Sequence, residues 1–452
     1  MGFIEKQLCK IFRSEIYHSY LKQKEIRKLP LEEIQKIQWQ RLKELLEHTY
    51  DSSVFYHDVF KSANLKPQDI HAYKDFSKIP IVDKKILKKN YNEIIAKGTR
   101  TKDYTVSYTS GSTGVPFSFL LDNRREHPST SAAFLLNKES FGIDPFKKMN
   151  ELMIKAEPIN EIKDLSNPDK KGLLYGLKYY FFSETFGIKS LDIKKENIKA
   201  IESIIKNNKI QMLYGYSSNI FYLTKLFNTN GIDVDIKYVI PIAEGLLSQQ
   251  KQYILDTFHC QLYLDYGASE CMRMGFECNQ HKGYHMDIYN YYFEYLDENN
   301  EPSEPGESAN IIVTNLNNYI FPLVRYHIGD LCVLSDEKCS CGINYPLISK
   351  ITGRESDIIK TPLNDEISLS NFAVFFEYLT DYIIQYQLIV DRKENEITIN
   401  IVPTEKFGKE TLEEIKLKIS ELINHSMDIK IHLVEQIAFE KHGKTKSLII
   451  KE

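Results

Sequence analysis

Tyr108-Thr109-Ser110-Gly111-Ser112-Thr113-Gly114-Val115-Pro116 lies between the β-rich run Asp103 to Ser107 and the apolar run Phe117 to Leu121. Two glycines and four Ser/Thr hydroxyls between extended segments make a loop rich in backbone N–H and hydroxyl donors. Such a loop suits a polyphosphate, because glycine lets the backbone approach an anion closely and hydroxyls add donors without bulk. It is not a Walker loop, since no G-x-x-x-x-G-K-[ST] is present. The same residues also describe a Ser/Gly turn closing a β-hairpin.

Downstream, strand and helix patterns alternate. Glu196 to Lys206 has helical spacing, and Ile210 to Leu213 reads as a short buried strand entering the glycine turn Tyr214-Gly215-Tyr216-Ser217-Ser218. Strands that end in a glycine turn and start a helix commonly meet ligands in open α/β sheets; a plain connection is the rival reading. The rhythm repeats with a strand at Lys237 to Ile242, a turn at Ala243-Glu244-Gly245, a helix at Ser248 to Phe258 and a strand at Gln261 to Tyr266. This alternation predicts a parallel sheet covered by helices. The last strand runs into Tyr266-Gly267-Ala268-Ser269-Glu270, where Glu270 could hold Mg2+ against phosphate oxygens or be a surface glutamate.

Upstream, residues 1–95 read mostly as helix, with Ile34, Ile37, Leu42, Leu45 and Leu46 at helical spacing in Leu31 to Tyr50. After Tyr292 the texture turns antiparallel: Phe293 to Leu296, Asn310 to Leu316 and Pro322 to Leu334. Within the last, Val324-Arg325-Tyr326-His327-Ile328-Gly329-Asp330 offers Asp330 to both hydroxyls of a ribose and Arg325 to a phosphate. Gly353-Arg354-Glu355-Ser356-Asp357 is a polar turn suited to a hinge. From Ile359 the pattern is strand, helix (Leu369 to Leu379), two strands, helix (Lys409 to Ile423) and strand, a small α+β domain that ends in the basic loop Lys441-His442-Gly443-Lys444-Thr445-Lys446 and a terminal strand.

Composition sets bounds. A chain of 452 residues predicts roughly two or three domains. A formal net charge of -4 argues against a nucleic-acid binder that works through bulk positive charge. There is no apolar run of membrane-spanning length, and Met1 to Ser14 does not read as a signal peptide. Seven unevenly spaced cysteines suit a reducing compartment, so the expected location is the cytoplasm.

Tyr-Thr-Ser-Gly-Ser-Thr-Gly, Ala-Glu-Gly, Tyr-Gly-Ala-Ser-Glu, Arg-Tyr-His-Ile-Gly-Asp, Gly-Arg-Glu-Ser-Asp and a near-terminal Gly-Lys occur here in the order found in acyl-adenylate-forming enzymes. The chain resembles the phenylacetate-coenzyme A ligase branch and its relatives from capsule-polysaccharide gene clusters. His48-Thr49-Tyr50-Asp51-Ser52-Ser53-Val54-Phe55-Tyr56 and Asp75-Phe76-Ser77-Lys78-Ile79-Pro80 look like that branch's N-terminal helices.

The resemblance implies a large N-terminal adenylate-forming domain over residues 1–352, with parallel-rich sheets, covering helices and a β-barrel-like subdomain. A hinge at 353–358 and a small mobile α+β domain at 359–452 would follow. It implies ATP and a carboxylic acid as substrates, with an aromatic acid the class to expect first, and Mg2+ as cofactor. Ser110, Gly111, Ser112, Thr113 and Gly114 would hold the β- and γ-phosphates, and Ala243, Glu244 and Gly245 would sit at the adenine. Tyr266, with Gly267, would lie near the base or acyl group, and Ser269 would touch the α-phosphate or the acid. Glu270 would bind Mg2+, Asp330 the ribose with Arg354 beside it, and Asp357 would be the hinge. Lys444 would bridge the α-phosphate and the substrate carboxylate. Tyr214, Tyr216 and Ser217 fall where this branch shapes its acid pocket.

Departures leave the acceptor open. Pro116 is followed by Phe117 rather than by Lys-Gly, and Lys360-Thr361-Pro362-Leu363-Asn364-Asp365-Glu366 replaces the Arg-Gly turn usual in coenzyme A users. Coenzyme A, a carrier-protein thiol and an amine all remain acceptors to test, and a homodimer remains open. A non-catalytic adenylate-binding scaffold or sensor is the alternative reading. Cys278, Cys339, Cys341 and His285, with His281 as rival, look like the structural zinc set that some members of the branch carry; unrelated reduced cysteines are the other possibility. Cys271, beside Glu270, is expected to pack rather than ligate.

Overall fold

The computed structural model describes the chain except residues 1–5, 8–9, 11–12, 109–116, 148, 156–162, 165–184, 244, 247, 355–357, 370–371, 373–374, 377–378, 380–381, 438–446 and 452. Two compact units emerge, one from residues 1–147 with 265–351, the other from 148–264 with 352–452. Each draws on two separate stretches of chain.

The first unit begins with the helices Ser14–Ile26, Leu31–Ser52 and Val54–Ser62. In the second of these Ile34, Leu42, Leu45 and Leu46 are fully buried, while Glu32 and Glu33 occupy the first turn, where the helix dipole favours acids. Ser53 stops that helix and caps the next, its hydroxyl accepting the Tyr56 amide. The strands Tyr104–Tyr108 and Ser118–Asp122 pair antiparallel, with Tyr108 opposite Ser118. The flanks of the opening loop therefore form a hairpin, and the loop's own donors lie outside the described residues.

Helix Glu126–Ser140 follows, and after residue 265 the unit becomes strand-rich. Neighbours run in the order Tyr291–Leu296, Ser308–Asn315, Tyr326–Leu334, Leu347–Arg354, Tyr284–Met286, Met272–Glu277, Asp265–Ala268. A single core joins helix residues such as Leu42, Tyr56 and Phe76 to strand residues such as Met274, Tyr291, Val313 and Tyr326.

In the second unit the parallel order is Gln261–Leu262, Tyr238–Ile242, Ile210–Tyr216, Asn150–Lys155, Thr185–Lys189, Lys163–Asp164. Helices Ile198–Asn207, Ser217–Thr229 and Ser248–Phe258 supply its core partners, among them Ile201, Ile220, Leu223 and Ile254. This is the predicted helix-covered parallel sheet, with two corrections. The strand from Ile210 runs through Tyr216, so Gly215 is a strand residue and not a turn; a Cβ there would meet the Ile154 carbonyl oxygen at 2.5 Å, so glycine is what lets the two strands approach. The expected strand Gln261 to Tyr266 is two strands, Gln261–Leu262 and Asp265–Ala268.

The C-terminal part of this unit is a mixed four-stranded sheet, Asp428–Leu433, Glu396–Pro403, Ile383–Asp391, Leu448–Lys451, covered by helix Lys409–Leu422 through Ile415 and Ile419. The Lys225 ammonium, buried in helix Ser217–Thr229, donates to the Ile383 carbonyl at 2.7 Å and so ties that helix to the start of the strand Ile383–Asp391. The fold class is thus α/β with a separate α+β C-terminal part, as expected. Gly353-Arg354, read above as part of a turn, instead ends the strand Leu347–Arg354, with Gly353 at φ +133.

Candidate functional site

The strand Asp265–Ala268 reverses through Ser269-Glu270-Cys271 into Met272–Glu277, and the turn is tight enough to dictate its residues. A Cβ on Gly267 would lie 1.9 Å from the Met272 carbonyl oxygen, so only glycine fits opposite the positive φ of Met272. The turn leaves Ser269 exposed and carries Glu270 inward to 8% exposure. Glu270 is therefore not the surface glutamate that was its alternative.

Asp330 arrives from the other direction. Gly329 takes φ +83 inside the strand Tyr326–Leu334, and Asp330 is 5% exposed. The Tyr266 hydroxyl donates to Asp330 Oδ2 at 2.9 Å, and the Tyr326 hydroxyl donates to Glu270 Oε1 at 3.2 Å. Burial, and then the neighbouring Asp330 charge, hold the Tyr266 phenol well above its usual range, so it stays a donor at any working pH. Four strand spacings separate these two strands in the sheet order, which in a flat sheet is about 19 Å. Two tyrosines bridge that gap only because the sheet curls back on itself, as in a barrel.

Arg325 is a correction. Instead of facing a phosphate, it is buried against Glu294, donating from Nη2 at 2.8 Å and from Nε at 2.9 Å, and it also donates to the carbonyls of Ser77 and Ile79. Its φ of +48, just before the strand Tyr326–Leu334, is a left-handed backbone, and its guanidinium is engaged with Glu294. Arg325 is a lock between the strand and the 77–82 segment.

Ala243, Gly245, Tyr214, Tyr216, Ser217 and Arg354 belong to the second unit. Ala243 ends the strand Tyr238–Ile242 at φ +64, a left-handed conformation rarely held by a residue with a Cβ and common at ligand sites. Tyr214 and Ser217 are buried, Tyr216 is half-buried, and Ser217 opens the helix Ser217–Thr229. Ser110, Gly111, Ser112, Thr113, Gly114, Glu244, Asp357 and Lys444 lie outside the described residues.

A second cluster sits in the first unit. The ligand atoms of Cys278, His285, Cys339 and Cys341 all lie within 4.8 Å of one another. Cys278 and Cys339 sulfurs are 3.5 Å apart, and Cys341 Sγ is 3.3 Å from His285 Nε2. His285 Nδ1 faces the Tyr345 carbonyl at 3.4 Å, the kind of contact that orients a metal-ligating imidazole and leaves Nε2 toward Cys341. Hydrogen bonds from Cys278 and then from His285 pull the Cys341 thiol far down, while the same partnership pushes Cys278 up. Three sulfurs with one imidazole fit the tetrahedral preference of zinc. The rival His281 is turned away and pairs with Glu277 at 3.0 Å. Cys271 is fully buried outside this cluster.

Sequence reasoning gave Tyr326 no role. The signal was present as a repeated spacing: Tyr266 precedes Glu270 as Tyr326 precedes Asp330, four positions in each case.

Residues 359–452 match the family described as CapK C-terminal domain. The chain is 23% identical over 403 residues to phenylacetate-coenzyme A ligase of Thermus thermophilus, covering 87% of this chain and 86% of that protein. It is 24% identical over 451 residues to protein CapK of Staphylococcus aureus, covering 97% and 94%. Among solved structures it matches a 2-hydroxyisobutyryl-CoA ligase in the postadenylation state at a TM-score of 0.74, with 18% identity and coverage of 94% of this chain and 91% of that one. The chain thus resembles phenylacetate-coenzyme A ligase and CapK over most of its length, shares the fold of the solved ligase, and carries a CapK-type C-terminal domain at residues 359–452.

Proposed function

We propose that the protein activates a carboxylic acid with ATP, forming an acyl adenylate and releasing pyrophosphate, and passes the acyl group to a thiol or amine. The observation that carries this reading is the convergence of Glu270 and Asp330, remote in sequence, through two buried tyrosine hydrogen bonds. An acidic group for a nucleotide-bound metal and another for a ribose belong together in that chemistry.

A carboxylate oxygen attacks the α-phosphorus of ATP, and the bond to the pyrophosphate oxygen breaks. Two anions meet in that step, so positive charge must be ready where negative charge accumulates. Lys444 is the residue we assign to that task; its ammonium would serve the α-phosphate and the acid. Ser110 to Gly114 would cradle the β- and γ-phosphates, and Ala243, Glu244 and Gly245 the adenine. Asp330, with Arg354, would hold the ribose. Glu270 would hold Mg2+, which when bound would neutralise charge along the phosphates. Rotation about Asp357 would withdraw Lys444 and admit the acceptor.

Tyr214, Tyr216 and Ser217 are the residues we assign to the acid pocket, and an aromatic acid is the class we would test first. Coenzyme A is the first acceptor to test, on the strength of the relatives' names, ahead of a carrier-protein thiol or an amine. The Cys278, His285, Cys339, Cys341 set would hold a structural zinc, since four protein ligands leave no position for substrate.

The test is a panel of carboxylic acids offered with ATP, Mg2+ and hydroxylamine. An acyl hydroxamate is expected with at least one acid, and Lys444→Ala should lower its rate by about 10²–10³-fold. Bound ATP with no hydroxamate from any acid would refute the reading.

A further inference from the structure

The two carboxylates of the proposed nucleotide site each accept a hydrogen bond from the other's strand. Tyr266 and Glu270 come from the Asp265–Ala268 strand and its turn, and Tyr326 and Asp330 from the Tyr326–Leu334 strand. Each strand lends its tyrosine to the other's acid, Tyr266 to Asp330 and Tyr326 to Glu270. All four side chains are at least nine-tenths buried, so water does not compete for these hydrogen bonds.

We propose that Tyr266 and Tyr326 are the positioning residues of the site, and that they divide the work: Tyr266 sets the plane of the Asp330 carboxylate for the ribose hydroxyls, and Tyr326 sets Glu270 for the metal. The proposal rests on the ligase reading above. A carboxylate that must accept from two neighbouring hydroxyls has to present its oxygens in one plane, and a hydroxyl fixed on Oδ2 removes the rotation that would lose it. Glu270 needs the same restraint for a different reason. A longer side chain has one more torsion to freeze, and Tyr326 freezes it with one oxygen engaged and the other turned to a cation. The crossed arrangement also makes the two functions separable, because the two hydroxyls donate to different acids.

Wild-type protein, Tyr266→Phe and Tyr326→Phe should be compared by equilibrium binding of ATP and 2′-deoxy-ATP, and by the Mg2+ concentration that half-saturates ATP binding. Phenylalanine keeps the ring and its packing, and thermal unfolding of each variant reports whether the fold is retained. Tyr266→Phe is expected to weaken ATP binding about tenfold and to shrink the preference for ATP over the deoxynucleotide, with the Mg2+ midpoint unmoved. Tyr326→Phe is expected to raise the Mg2+ midpoint about tenfold and leave the ribose preference intact. Variants that bind as wild type does, or that shift every readout equally, would overturn the proposal while leaving the ligase reading standing. Wild-type protein that binds no ATP would overturn both.

Discussion

The carboxylate pair and the thiol cluster share a unit and a sheet, yet they are held in opposite ways. Glu270 and Asp330 are braced by neutral donors from the chain itself, at 3.2 and 2.9 Å, and their geometry is complete without any ion. The ligand atoms of Cys278, His285, Cys339 and Cys341 instead face one another across their centre, with contacts of 3.3 and 3.5 Å. On the proposed reading, the first would be a site prepared to receive a ligand and the second a fold element that an ion would complete. The difference predicts where each region fails when perturbed.

The largest effect should come from the prepared site. Glu270→Gln is expected to lower acid-dependent turnover by about 10²–10³-fold while the unfolding temperature changes little, because the amide can still accept from Tyr326. Steady-state kinetics beside calorimetry would check this; a large fall in unfolding temperature would show that the carboxylate is structural and erase the contrast. The thiol cluster should behave the other way. Cys341→Ser, or a strong chelator, is expected to release zinc and lower the unfolding temperature by about 4 °C or more, with a smaller loss of turnover at a temperature where the fold survives. Elemental analysis that finds well under one zinc per chain in fresh protein would remove the cluster's side of the comparison.

Glu126 gives a subtler probe, because it is a buried acid of the same unit with a different kind of support. Its Oε1 accepts from Asn315 at 2.7 Å, and burial pushes its carboxyl up to about 8. A carboxyl raised in the folded state binds its proton more tightly there than in the unfolded chain. Stability from this group is therefore present in full at acid pH and is lost as pH climbs from about 4.5 toward 8. Glu126→Gln should flatten the pH dependence of the unfolding temperature across that window, and an unchanged slope would mean that Glu126 titrates as an ordinary acid.

Much of this was legible in the sequence, for identifiable reasons. Helix Ser248–Phe258 and strand Glu396–Pro403 follow from periodicity, since apolar residues fall at the spacing each element requires. Glu270 and Asp330 follow from motif order, and Cys278, Cys339 and Cys341 from spacing. What stayed hidden depended on direction. Arg325 sits in a run that reads as a strand, but its left-handed backbone turns it into Glu294, and sequence patterns carry no sign for φ. His285 was the expected ligand with His281 as its rival, and direction decides between them: strand pairing of His285 with Leu347 brings it to the cysteines, while His281 lies in the turn before. Tyr326 was hidden because the sheet's curl, which brings it to Glu270, is a long-range property.

The most direct test of the central claim is pyrophosphate release from ATP, measured for the wild type and for Lys444→Ala with and without each acid of a panel. The account predicts release that depends on one class of acid and falls about 10²–10³-fold in the variant. Release that ignores the acid, or that survives the loss of the lysine unchanged, would contradict it.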